Sequence, residues 1–216
     1  MQQTVVETYL SREPRANSAF ISLVSIGVVF LFSIVYWGNS FGLADFLAAK
    51  GRQVFVEHQY WRLFTGILVH ADLMHFLSNA MGLFLFGYLL YGYFGVRVYP
   101  VAALLSGAVV NAVSLATYSD EITLVGASGV VYLAAAFWLT LFVLIERRFS
   151  VANRLLRSVG FSLVMLLSST FDPGVSYRTH AIGLIVGIVF GLSYFLMEKN
   201  KFRSAERTAD DDEQTG

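Results

Sequence analysis

Six long apolar stretches govern what this chain can fold into, at roughly 19–38, 72–94, 98–117, 123–145, 155–171 and 178–197. A helix needs about 20 mostly apolar residues to cross the hydrocarbon core of a bilayer. In that solvent every backbone N–H and C=O must be paired inside the segment, so such runs fold as transmembrane helices packed side by side. Composition agrees, since 56% of the 216 residues are hydrophobic and 14% are charged, where a soluble domain carries about 25% charged. The expected fold is an all-α membrane protein, a six-transmembrane-helix bundle over 19–197. It follows a cytoplasmic segment, 1–18, and precedes a polar tail, 198–216. The tail has no apolar core to bury and is expected to be disordered.

Between the first two stretches lies 39–71, where Asp45, Lys50, Arg52, Glu57 and Arg62 alternate with Phe41, Phe46, Phe55, Trp61 and Phe64. This mixture predicts an amphipathic segment lying in the membrane interface, with Trp61 and Arg62 as anchors. Lysine and arginine placement sets the orientation. With both termini cytoplasmic, the inner side holds Arg12, Arg15, Arg97, Arg147, Arg148, Arg154, Arg157, Lys199, Lys201, Arg203 and Arg207. The outer side then holds only Lys50, Arg52, Arg62 and Arg178. A formal net charge of zero gives no case for a nucleic-acid partner. The absence of cysteine removes disulfides, thiolate metal sites and cysteine nucleophiles. With no H-E-x-x-H either, no metal or other cofactor is expected. No internal repeat is evident, which argues against a transporter built from duplicated halves.

Polar groups inside a span are costly, so each is a candidate for function. His75 and Asn79 lie in the second stretch, Ser128 in the fourth and His180 in the sixth; Asn111 in the third reads as helix–helix glue. Even-numbered spans begin on the outer side. At about 1.5 Å rise per residue, all four groups fall in the outer half of their helices. Three segments remote in sequence thus bring polar groups to one depth.

Serine is a weak nucleophile until a base takes its proton, and histidine is the usual base. No acidic side chain lies deep in a span; the nearest, Asp72, Asp120, Glu121, Asp172 and Glu198, stand at span ends. A Ser128–His180 dyad is therefore the acyl-transfer constellation these residues permit. Such a site needs donors for an oxyanion. Ser128 sits a few residues into its helix, where backbone N–H groups are partly free. His75 and Asn79, four apart on one face, could add an imidazole and an amide donor, or could bridge helices. His70 lies off that face and is given a structural place at the interface. Gly126 and Gly129 flank Ser128 and remove bulk around it. Tyr132, one turn after Ser128, could pack on the imidazole. His180, Gly183, Gly187 and Gly191 read H-x-x-G-x-x-x-G-x-x-x-G, a smooth face for close helix contact. Gly129, Ala134 and Ala135 offer a matching surface on the fourth span.

These pieces resemble the rhomboid intramembrane serine proteases. The resemblance rests on Trp61-Arg62, on H-x-x-x-x-H-x-x-x-N at His70, His75 and Asn79, on G-A-S-G at 126–129 with Tyr132, and on H-x-x-G from His180. It covers residues 19–197. It implies a rhomboid-like bundle, with Ser128 as nucleophile, His180 as general base, and His75, Asn79 and the Ser128 backbone N–H as the oxyanion hole. It also implies cleavage of transmembrane substrates near the outer membrane face without metal or ATP. The compact six-span form suits a prokaryotic inner membrane. The segment 171–178 would be the cap over the cavity. One departure stands out: members often carry Glu-x-Arg near the cytoplasmic end of the second helix, where this chain reads YLLYGYFG at 88–95. The competing reading is a non-catalytic rhomboid-like protein that binds or retains membrane proteins. Such relatives usually lack the serine or the histidine, and both are present here. Oligomeric state is not written in the sequence.

Overall fold

The structure is a computed structural model that describes residues 4–39, 42–167 and 176–210. Among these residues, five helices are long and apolar enough to cross a membrane. They are α1 (Ser18–Trp37), the helix that becomes α5 (Leu73–Phe94), the stretch Arg97–Ala116, and those that become α7 (Ser128–Ile145) and α9 (Tyr177–Ser204). Short elements fill the gap after α1: α2 (Leu43–Leu47), β2 (Ala49–Lys50), α3 (Gly51–Phe55) and α4 (Arg62–Leu68). The stretch Arg97–Ala116 opens with a π-helical turn and continues as α6 (Ala103–Ala116). The fifth expected span corresponds to α8 (Val151–Leu167). It opens on a charged turn with Arg154 and Arg157, and its expected end, 168–171, lies outside the described residues. So does most of the cap expected at 171–178, up to residue 175.

The bundle presents its apolar side chains outward as well as inward. Phe20, Leu31, Leu105, Ile185, Leu196 and Met197 are all exposed. In water such a surface would be an aggregation patch; in a bilayer it faces acyl chains, as expected of an integral multi-pass membrane protein. The core runs along α5 and α7, through Phe86, Leu90, Phe94, Val130, Phe137, Leu141 and Ile145, with Phe195 and Phe202 from α9.

Between helices, without a hydrophobic driving force, close backbone approach does the packing. α9 lies on α7 along a glycine stripe. A Cβ at Gly183 would stand 2.6 Å from the Gly129 carbonyl oxygen, one at Gly187 2.8 Å from Ala136 Cβ, and one at Gly191 2.9 Å from Thr140 Cβ. The surface that receives the stripe is thus Gly129, Leu133, Ala136 and Thr140, one residue per turn. The expected partners Ala134 and Ala135 point elsewhere, Ala134 into the core and Ala135 into a cavity. A 3.6-residue period separates 133 and 136 from 134 and 135 by most of a face.

Three sequence expectations shift. The fourth span begins at Ser128 rather than near 123, because Thr123–Leu124 forms β3 and pairs antiparallel with β2. Arg62 is buried instead of anchoring at a surface. It donates to the carbonyls of Asp45 and Ala48 and to Gln59 Oε1, which ties the interfacial segment together. Trp61 remains half-exposed and stacks on Phe46 at 5.3 Å. The third shift concerns the tail: α9 continues to Ser204, and Arg207–Thr208 (β4) pairs with β1 (Val5–Glu7). Residues 198–210 are therefore structured where disorder was expected. The partner strand comes from the other end of the chain, which local composition cannot reveal.

That two-stranded clasp closes the end of the bundle opposite Ser128. Beside it, buried Glu146 accepts from Arg148 through both carboxylate oxygens at 2.7 Å. The end of α5, which lacks Glu-x-Arg, is held by the N-terminal segment instead. Tyr9 Oη donates to the Tyr93 carbonyl at 3.1 Å, Arg12 donates to the same oxygen, and Arg15 N–H donates to Gly92 O at 3.2 Å.

Candidate active site

At the opposite end, α5, the 118–128 segment, α7 and the start of α9 enclose a cavity of about 630 Å³. Its walls include Ser128, His180, His75, Asn79, Gly126 and Tyr132. Every residue singled out from the sequence for chemistry therefore meets at one place.

Ser128 is the first residue of α7, with Ala127 before it at φ −79°, ψ −1°. The first intrahelical bond is donated by Val131 N–H to Ala127 O at 2.9 Å. The amides of 128–130 precede it, so the helix itself offers them no acceptor. The positive end of the helix dipole falls on the serine. This differs from the expected place a few residues into the helix, and it gives Ser128 a stronger claim on the free N–H groups.

Gly126 has φ +115°, where a side chain would be strained, and a Cβ there would lie 2.6 Å from His75 Cε1. The sharp turn into α7 and the close seat of His75 both depend on this glycine. Gly129 is similarly confined, its missing Cβ 3.0 Å from Val110 Cγ1 and 3.1 Å from Thr179 Cγ2.

His180 is buried, one turn into α9. Its imidazole stacks on the Tyr132 ring, with centroids 4.0 Å apart and planes 14° apart. Gly183 and Gly187 set the depth at which α9, and His180 with it, approaches α7. Ser176 caps α9, accepting from Thr179 N–H at 3.2 Å, and shares a 2.6 Å hydrogen bond with Tyr118 Oη.

On α5, Asp72 caps the helix by accepting from His75 N–H at 2.8 Å. Its carboxylate is thereby committed to the helix end. Asn79 Nδ2 donates to the His75 carbonyl at 2.8 Å, which orients the amide and leaves its second N–H for another acceptor. Asn111 sits away from the cavity and donates to Leu63 O at 2.9 Å, tying α6 to α4 as expected.

A family profile, the Rhomboid domain, matches residues 57–197, more than half of the chain. The chain belongs to the rhomboid family. Among curated relatives, a provisionally named rhomboid protease of Bacillus subtilis, YdcA, is 27% identical over 175 residues, covering 79% of this chain and 81% of its own. The rhomboid protease GlpG of Haemophilus influenzae is 27% identical over 149 residues, covering 67% of this chain and 74% of its own.

Within this rhomboid chain the sequence reading missed several cavity residues. Tyr118, Ser176 and Thr179 line the wall beside His180, and Met74 and Ser78 stand on α5. Met74 and Ser78 occupy unspecified positions of the 70–79 motif and Ser176 lies in the expected cap, so their segments were marked but not the residues themselves. His70, expected at the interface in a structural role, is completely buried and meets the His75 ring edge-on at 5.0 Å.

Proposed function

We propose that Ser128 and His180 form the catalytic dyad of this rhomboid protease, and that it cuts transmembrane segments near the outer membrane face. The family and the two named proteases make the chain an intramembrane serine protease. The observation that carries the assignment is the convergence of Ser128, at the N-terminus of α7, and the stacked His180 of α9 on one cavity.

The chemistry follows from these groups. His180 takes the Ser128 hydroxyl proton as Oγ attacks the scissile carbonyl carbon. The carbonyl oxygen becomes an oxyanion, stabilised by the Ser128 N–H at the positive helix end and by His75 and Asn79 from α5. Collapse breaks the C–N bond, and the proton on His180 passes to the leaving amine. Water, deprotonated by the same imidazole, then attacks the acyl-enzyme and returns Ser128 to its starting state. Two groups suffice because the Tyr132 ring and the α7–α9 packing orient the base.

The lysine and arginine bias supports cytoplasmic termini and a cavity that opens outward, and the bacterial relatives suit a prokaryotic inner membrane. Substrates with helix-weakening residues at the outer boundary suit such a cavity, since a regular helix shields its peptide bonds by internal hydrogen bonding. A fluorophosphonate probe tests the assignment. It should label the wild type and fail on Ser128→Ala and His180→Ala; labelling of Ser128→Ala would place the nucleophile elsewhere.

A further inference from the structure

We infer that His70 and Ser33 are positioning residues for the nucleophile, through a one-directional chain of hydrogen bonds donated from the peptide preceding Ser128 to α1. The inference rests on the proposed role of Ser128.

The direction of each bond can be read from the groups. Ala127 N–H lies 3.2 Å from His70 Nε2, and a backbone N–H only donates. Nε2 must therefore carry the lone pair. Burial, reinforced by nearby His75, pushes the His70 imidazole down to about 3, so the ring is neutral and holds one proton. That proton sits on Nδ1, which lies 3.2 Å from Ser33 Oγ and donates to it. The Ser33 hydroxyl hydrogen in turn goes to Val29 O at 2.9 Å, closer than Leu68 O at 3.5 Å. Trp37 Nε1 donates to the His70 carbonyl at 2.8 Å and fixes the backbone of the same residue.

The far end of the chain is the turn into α7. Gly126 N–H donates to Gly66 O at 2.9 Å and Ala127 N–H to His70. Two consecutive peptide planes are thereby held. With Ala127 at φ −79° and ψ −1°, the next plane is set as well, and it carries the Ser128 N–H. Among the described residues, none from α1 lines the cavity. The first span thus acts on the chemistry through His70.

Three variants and one spectrum test this in the full-length protein. His70→Leu keeps the apolar volume but removes the acceptor; it should lower kcat roughly tenfold to a hundredfold with KM unchanged. His70→Gln restores a carbonyl acceptor for Ala127 N–H and should recover most of that loss. Ser33→Ala should lower kcat severalfold and mix the His70 tautomers. In ¹⁵N-histidine spectra of the wild type, His70 should show a protonated Nδ1 and a bare Nε2. A protonated Nε2, wild-type kcat in His70→Leu, or a His70→Gln no better than His70→Leu would overturn the inference. Should His70→Leu fail to fold, the wild-type spectrum and Ser33→Ala decide; an unchanged tautomer and kcat in Ser33→Ala would overturn it. Ser128→Ala runs alongside: if it still cleaves, the reading of the nucleophile fails, whatever the His70 variants do.

Discussion

The Tyr132 ring lies flat against the His180 imidazole, 4.0 Å between centroids and 14° between planes. One residue stands a turn after the serine on α7 and the other opens the glycine face of α9. The stack therefore joins α7 beside Ser128 to α9 at His180, the two members of the proposed dyad, and among the described residues no acidic side chain lines the cavity.

Removing the ring should cost orientation rather than folding. Tyr132→Leu is expected to lower kcat roughly tenfold, as a misdirected base loses effective concentration. Tyr132→Phe, which keeps the stack, should stay near wild type. Steady-state cleavage of a transmembrane reporter in detergent micelles reads both.

The approach of α9 to α7 is limited by Gly183. Its Cβ position lies 2.6 Å from Gly129 O and 3.3 Å from Tyr132 Cβ. Gly183→Val should force the helices apart, destabilise the protein by about 1–3 kcal/mol and abolish cleavage. Gly160→Ala is the control, because a Cβ there meets nothing within 4 Å. Thermal unfolding and cleavage assays on the two variants separate them.

Asn79 has one amide proton on the His75 carbonyl. If the other serves the oxyanion, Asn79→Ala should lower kcat by roughly a hundredfold, the effect of losing one such donor, with KM little changed. Unchanged turnover would leave Asn79 as a tie within α5.

Glu146 is buried with its carboxylate in a two-point contact with Arg148, whose side chain is partly exposed. Glu146→Leu should lower stability by about 1 kcal/mol or less, because the partly exposed guanidinium can turn to water, while leaving cleavage at low temperature intact. Circular dichroism melts and the same reporter assay distinguish a stability role from a catalytic one.

Much of this arrangement was legible in residue spacing. Apolar runs of membrane length announced the helices, and polar groups at one depth announced the cavity, because both signals are local or nearly so. The glycine repeat after His180 foretold the tight face of α9, yet not which face of α7 would receive it. That choice depends on helix rotation, which pairs Gly187 with Ala136 instead of Ala135. The start of α7 at Ser128 was hidden because β3 borrows its partner from β2, some seventy residues earlier. The clasp between β1 and β4 was hidden for the same reason across nearly the whole chain. The partners of His70 were hidden because Ser33 and Ala127 lie far away on either side.

The central claim is that Ser128 breaks peptide bonds in other membrane proteins. Its most direct test co-expresses wild type or Ser128→Ala with a tagged single-span reporter whose outer boundary is rich in glycine and alanine. The account predicts a cleaved fragment with wild type and none with Ser128→Ala at equal expression. A fragment of equal intensity with Ser128→Ala, absent when neither form is expressed, would contradict it.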